Sequence, residues 1–269
     1  MDKTVIREYT SADVPELVRL WTTVFEDTEE TAEKFFAALP DMGGGVAAEI
    51  GGEIIGAAYT LNGQELLHDG GNTPVGYLYG IAVYEKYRHR GIGADITEAA
   101  YALSKKRGAE IVSCFPAEKG LYAWYKRTVG FEYILRCEKV SLKAEPAERV
   151  MRISSAEYML WRENMLKHRT HIRLSSFALE FEKQLLEEYG GGLYMAESGI
   201  CAAYVEDGKT LVREVIAHDR EGALRTAQSV CALLGTDECT VRLPAPEGEE
   251  YIVSDKPLPD GCVWNLTFD

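Results

Sequence analysis

The sequence is short of cations and has no arrangement of cysteine and histidine suited to a metal. Its 269 residues carry 29 Lys and Arg against 43 Asp and Glu, a formal net charge of −14. A phosphate backbone demands a basic face, so this balance excludes a general nucleic-acid binder and argues against docking on anionic membranes. The six cysteines (Cys114, Cys137, Cys201, Cys231, Cys239 and Cys262) include no C-x-x-C pair, and no histidine stands at ligand spacing from them. That predicts no metal site and no disulfide framework, but reduced, buried thiols in a cytoplasmic protein. No apolar run is long enough to span a bilayer, and Met1–Arg7 lacks the apolar stretch of a secretory leader.

What is present suits two ordinary folded domains. Hydrophobic residues make up 46% and charged residues 27% of the chain, and its length exceeds a single domain of ~100–150 residues. The acidity favours a cationic substrate weakly, and serves solubility in any case. The patterning predicts a strand at 5–9, helices over 14–25 and 29–39, a glycine turn at 41–45, and strands at 46–50 and 53–61. A Gly-rich loop is expected over 64–74, then an apolar strand over 75–84, a helix from 92 closing at Lys105-Lys106-Arg107-Gly108, a strand at 110–115, a helix at 121–128 and a strand at 131–142. Residues 144–150 read as a polar linker. The second half, 151–269, repeats the order helix, helix, three strands, helix, strand, strand without clear sequence identity, its last strand expected at 263–268. The expected domains are therefore 1–143 and 151–269.

Chemistry concentrates where the 75–84 strand runs into Tyr87-Arg88-His89-Arg90-Gly91-Ile92-Gly93-Ala94 and then into a helix. The first amides of a helix lack internal partners and carry partial positive charge. Gly91 and Gly93 let that backbone approach a ligand closely, which predicts a phosphate or diphosphate site. Residues 84–107 hold six Lys and Arg against three Asp and Glu, a local +3 in an acidic chain. Arg88 and Arg90 are within reach of phosphates; Lys105, Lys106 and Arg107, roughly 20 Å along the helix, suit its carboxyl end. The turn is neither a G-x-G-x-x-G dinucleotide fingerprint nor a GxxxxGK[ST] nucleotide loop.

This segment resembles the [Q/R]-x-x-G-x-[G/A] loop of GNAT family N-acetyltransferases, with Arg88, Gly91 and Gly93 in its defining positions. Ile81-Ala82-Val83 resembles that family's fourth strand, and Tyr125-Lys126-Arg127-Thr128-Val129-Gly130-Phe131 its Tyr-(charged)-Gly-Phe signature. The resemblance covers about residues 3–143. It implies an α/β (α+β) GNAT fold, with a mixed, mostly antiparallel sheet flanked by helices. It also implies acetyl-CoA as acyl donor, bound along Ile81, Ala82 and Val83 and by the backbone from His89 through Arg90, Gly91, Ile92 and Gly93 to Ala94, with an amine as acceptor. Tyr125 would act as acid toward the leaving thiolate, since a phenol of pKa ~10 is protonated at neutral pH. Gly130 stands five residues after Tyr125 instead of the family's usual four, which leaves Tyr122 as the alternative. Glu53 and Glu85 are conceivable bases, although each reads as solvent-facing. His68 stands in the expected loop with no identified partner. Cys114 reads as a buried, inert thiol.

In the second half the corresponding turn is Ala217-His218-Asp219-Arg220-Glu221-Gly222. Its two acids would repel a phosphate and suit helix capping. By resemblance this half is a degenerate GNAT copy that walls the acceptor pocket or forms a homodimer face. A catalytically silent acyl-CoA-binding regulatory module is the competing function.

Overall fold

The computed structural model describes residues 3–68, 71–259, 261–264 and 266. The chain forms two compact units, neither continuous in sequence: residues 1–65, 72–134 and 252–258 in one, and 66–71, 135–251 and 259–269 in the other.

The chain begins with β1 (Val5–Glu8), α1 (Val14–Phe25), α2 (Glu29–Met42), β2 (Gly43–Ile50), β3 (Glu53–His68) and β4 (Gly71–Val83). It continues through α3 (Ile92–Lys106), β5 (Ile111–Cys114) and α4 (Lys119–Val129). The chain then runs through β6 (Tyr133–Lys143), β7 (Met151–Arg152), α5 (Ser155–Met165), β8 (His171–Arg173), α6 (Ser176–Glu188) and β9 (Gly192–Met195). It ends with β10 (Gly199–Glu206), β11 (Lys209–Ala217), α7 (Arg220–Leu234), β12 (Glu238–Pro244) and β13 (Glu249–Ser254). In unit one the strand order is β1-β2-β3-β4-β5-β13. β1–β2, β2–β3 and β5–β13 are antiparallel, and β4–β5 is parallel across the α3 crossover. One face packs on α3 and α4 through Ile55, Ala58, Leu78, Ile96, Ala100, Tyr125 and Phe131. The other face carries an aromatic cluster in which Trp21 and Phe35 meet Tyr59 and Tyr79 at centroid distances of 5.2–5.8 Å.

Unit two repeats this plan in the order β6-β12-β11-β10-β9-β7. Here β11 and β12 are parallel across α7, and β12–β6 is antiparallel. The expected hairpin turn at Asp207-Gly208 is present with both φ positive, 49° and 73°. In each repeat part of the final strand sits in the other unit: 252–254 of β13 belong to unit one, where β13 borders β5, and 135–143 of β6 belong to unit two, where β6 borders β12. The second repeat has no counterpart of α4, since only residues 245–248 separate β12 from β13.

Several local expectations are corrected. Gly43-Gly44-Gly45 is strand, not turn. A Cβ on Gly43 would stand 1.9 Å from the Thr60 carbonyl oxygen, one on Gly44 2.4 Å from the Arg107 guanidinium, and one on Gly45 2.5 Å from the Tyr59 ring. These glycines permit close approach instead of reversal. The polar 64–74 stretch extends β3 and β4, with Gln64 and Leu66 turned inward; Asp69 and Gly70 lie outside the described residues. Helix α2 continues through Pro40 to Met42 and closes with Gly43 N–H on the Leu39 carbonyl. A proline so near a helix end disturbs only one backbone bond before the chain leaves. Half of the strand expected at 263–268, residues 265, 267 and 268, lies outside the described residues, and Val263 makes an isolated parallel bridge with His171. All six cysteines are buried thiols outside any disulfide. Among the described residues no helix is long and apolar enough to cross a membrane.

Candidate active site

β4 pairs with β5 only from Val75 to Tyr77, against Ile111 to Ser113. β5 stops at Cys114 while β4 runs on to Val83, so the two parallel strands part, and among the described residues no strand pairs with the β5-side edge of Tyr79–Val83. Leu78 and Val83 both face the α3-side core although five residues separate them. Strand alternation therefore reverses between them, which marks a bulge. Gly80 supplies it with φ of 58°, and a Cβ there would lie 2.8 Å from Trp21 and 2.9 Å from Tyr59. The bulge lies immediately before Ile81, Ala82 and Val83; Ile81 is half-buried and the other two are buried.

From Val83 the chain passes through a 3-10 turn at Glu85–Tyr87 and reaches α3 over an exposed loop. His89 and Gly91 take the left-handed region, φ 62° and 81°. Gly91 is the N-cap and no side chain caps the helix. The first-turn amides of Ile92, Gly93 and Ala94 precede the first helical bond, Asp95 N–H to the Gly91 carbonyl at 3.1 Å, and so have no helical acceptor. A Cβ on Gly91 would meet nothing within 4 Å, and one on Gly93 only Val83 Cγ2 at 4.0 Å. The helix end is open as well as electropositive, the condition for an anion site.

The arginines build the loop. Arg88 Nε donates to the Val83 carbonyl at 3.0 Å, and Arg90 donates to the Lys86 carbonyl at 3.1 Å while lying 5.4 Å from the Tyr87 ring centroid. The three cations at the other end of α3 are engaged there: Lys105 with Asp255, Lys106 with Glu8, and Arg107 with the Gly43 carbonyl.

Helix α4 brings Tyr125 to the end of β5. The ring stacks on Phe131 at 6.0 Å and 13°, and meets Trp124 edge-on at 4.9 Å. Its hydroxyl interacts with the Cys114 thiol. Burial pushes the Tyr125 phenol well above the usual tyrosine range, and pushes Cys114 up likewise. The phenol is thus held as an O–H donor, and the thiol is not a nucleophile at neutral pH. Tyr122, one turn earlier, is half-buried on the same core.

Residues 5–134 match the model of the family described as the acetyltransferase (GNAT) domain. Residues 5–134 of this chain form a GNAT acetyltransferase domain. Solved structures share the fold over nearly the whole length of the chain. A GCN5-related N-acetyltransferase from Kribbella flavida is 18% identical, TM-score 0.69, covering 94% of this chain and 71% of that one. A probable N-acyltransferase from Enterococcus faecalis V583 is 14% identical, TM-score 0.71, covering 94% and 72%. A tandem GNAT protein from the clavulanic acid biosynthesis pathway is 13% identical, TM-score 0.58, covering 96% of this chain and 100% of that one. No curated protein matches it in sequence.

Glu53, Glu85 and His68, the other titratable residues weighed from the sequence, are all exposed. Glu53 is exposed and pairs with Lys86 at 3.1 Å. With Glu16, Arg19 and Tyr84 these two line a surface depression of about 480 Å³ on the β3 side of β4. Glu85 is exposed in the 3-10 turn, and His68 is exposed at the end of β3. Among the described residues no group of three or more His, Cys, Asp or Glu is placed to hold a metal ion. In unit two the equivalent helix start is stoppered: Asp219 is the N-cap of α7, and its carboxylate accepts the Gly222 N–H at 2.7 Å. Two features of the site carried no readable sequence signal, the bulge at Gly80 and the thiol partner of Tyr125. The first was hidden in an apolar run; the second joins residues eleven positions apart on different elements.

Proposed function

We propose that the protein is an N-acetyltransferase that moves the acetyl group of acetyl-CoA to a primary amine of a small molecule, an amino-acid derivative or a peptide. The observation that carries this reading is the uncapped, glycine-opened start of α3 at the point where β4 and β5 part. The amides of Ile92, Gly93 and Ala94 hold the diphosphate, and the guanidinium of Arg88 fixes the loop to β4. The free edge at Ile81 and Val83 bonds the pantetheine arm as a third strand would. An N–H near Val83 faces the thioester carbonyl and stabilises the oxyanion of the tetrahedral intermediate. Tyr125 donates its proton to the departing thiolate. Glu53 and Glu85 are both exposed, and the ammonium of the acceptor loses its proton through water.

Domain roles follow the repeat. The acetyltransferase segment is 1–143, 144–150 is a linker, and 151–269 is the silent copy, whose blocked α7 start leaves it no diphosphate site.

Titration calorimetry with CoA, followed by an amine panel read by free-thiol release, tests the proposal. Binding with turnover supports the enzyme. Binding with no thiol release on any amine supports the regulatory module. The absence of CoA binding removes both.

A further inference from the structure

Asp255 follows β13, more than 100 residues beyond the loop that starts α3, yet it belongs to unit one. Its carboxylate is 9% exposed. One oxygen accepts the Val112 N–H at 2.7 Å; the other accepts the Tyr101 hydroxyl at 2.9 Å and pairs with Lys105 Nζ at 2.5 Å. Asp255 N–H in turn donates to the Val112 carbonyl at 3.0 Å. Val112 is the middle residue of the short stretch that joins β5 to β4, two positions before Cys114. Tyr101 and Lys105 stand on the last turns of α3. One carboxylate thus ties together the two elements whose far ends bound the opening.

Lys106 and Arg107 hold the rear of α3 toward β1 and β2, while Tyr101 and Lys105 hold it toward β5 through Asp255; a helix is stiff over this length, so loosening the β5-side hold tilts the front, Ile92 lying ~14 Å ahead of Tyr101 at 1.5 Å per residue. The Tyr101 ring also meets Phe131 edge-on at 6.1 Å, and Phe131 stacks on Tyr125 at 6.0 Å. Asp255 therefore reaches the diphosphate end through the α3 rod and the proposed acid through two rings. Burial, and after it the Asp255 carboxylate, push the Tyr101 phenol up to about 12, which keeps it a donor throughout the working range.

We infer that Asp255, carried by the silent second repeat, is a positioning residue for acyl transfer: it sets α3 against β5 and so fixes the width of the acyl-CoA opening. The inference rests on the acyl-CoA reading above. It makes the first repeat incomplete as a catalyst without residues 252–258.

The test uses the full chain, with CoA titrated well below the unfolding midpoint, where a purely stabilising contact leaves the affinity of folded protein unchanged. Asp255→Ala should weaken CoA binding about tenfold, the loss of one charge-assisted contact set. Asp255→Asn keeps an acceptor oxygen and should lose only about two- to threefold. In turnover the KM for acetyl-CoA should rise by the same factors, while that of the amine stays within about twofold. Should Asp255→Ala fail to fold, Tyr101→Phe and Lys105→Met each remove one arm and should each weaken CoA about two- to threefold. Variants with a lowered melting point and wild-type CoA affinity overturn the inference and leave the acyl-CoA reading intact. Wild-type protein that binds no CoA overturns both.

Discussion

Arg88 turns back on its own strand: its Nε donates to the carbonyl of Val83, five residues earlier, at 3.0 Å. The bond closes residues 83–88 into a ring that ends just before the left-handed residues His89 and Gly91. A guanidinium with one face bonded inward keeps its remaining N–H groups for an anion. Arg88→Met keeps the apolar stem but loses both services. It should raise the KM for acetyl-CoA about tenfold, the value of one charge-assisted hydrogen bond, with the melting point within a few degrees. Arg88→Lys should not restore affinity, because an ammonium cannot bond the carbonyl and an anion in the same plane. Steady-state kinetics on the two variants check this.

Gly91 separates backbone strain from steric blockage. At φ of 81° any L-residue is strained, yet its surroundings are empty. Gly91→Ala should cost about 1 kcal/mol in the loop, roughly fivefold in CoA affinity. Gly93 is not left-handed, so Gly93→Ala should be nearly silent, while Gly93→Glu places a carboxylate where the diphosphate belongs and should abolish binding. Calorimetric titration of CoA into the three variants reads the difference.

Tyr125→Phe removes one oxygen and keeps the ring on Phe131 and Trp124. As the acid, Tyr125 should contribute about 10²–10³ to kcat with little change in CoA affinity. Its phenol is raised by burial, so the charged form is disfavoured in the folded chain. Its contribution to stability is then complete below the unfolded value and is lost as pH rises through the folded one. The kcat profile should accordingly show no descending limb from this group between pH 6 and roughly 10. A limb in that range, or a Tyr125→Phe enzyme with full kcat, would transfer the role to Tyr122, which Tyr122→Phe then tests.

The open, glycine-led start of α3 was legible because its physics is local: glycine spacing, flanking cations and the switch from strand to helix all fall within one short segment. The repeat was legible for the same reason, as a succession of periodicities. What could not be read depends on partners far away in sequence. Gly43-Gly44-Gly45 has the composition of a turn, and only Thr60, Tyr59 and Arg107 make it a strand. Gly80 lies in an apolar run that would form a strand in any case; its positive φ answers Trp21 and Tyr59 pressing from above. Asp255 belongs to no periodic element, and nothing near it in sequence names Val112 or Tyr101. The exchanged final strands are invisible to patterning, since an apolar strand reads alike whichever sheet it completes.

Unit two holds a charge pair that the patterning also hid. Arg162 on α5 meets Glu214 on β11 through two bonds, 2.9 and 3.0 Å, and Tyr158 donates to the same carboxylate at 2.9 Å; all three side chains are buried. Removing one partner strands the other charge. Glu214→Ala should therefore cost about 3–5 kcal/mol, whereas a paired Arg162→Met, Glu214→Leu replacement should cost far less. Urea unfolding monitored by circular dichroism compares them, and a single variant as mild as the pair would place this ion pair outside the core.

Truncation after Glu145 tests the exchange of strands. The fragment keeps every residue of the acyl-CoA loop and Tyr125, so a self-sufficient first domain would bind CoA normally. It loses β13, whose Ile252 and Val253 are fully buried and which borders β5 through Val253↔Cys114 and Ser254↔Ser113. Re-exposing those two side chains costs roughly 3–6 kcal/mol at ~1.5–3 each, against a typical total of ~5–15. The missing Asp255 contacts add to this, and the bared β5 edge invites aggregation. The 135–143 part of β6 also loses its partner β12. The fragment should be poorly soluble, lack a cooperative melting transition and take up no CoA. A soluble fragment that melts cooperatively and binds CoA as the full chain does would mean that β5 needs no second neighbour, and that the loop and Tyr125 are held by the first repeat alone.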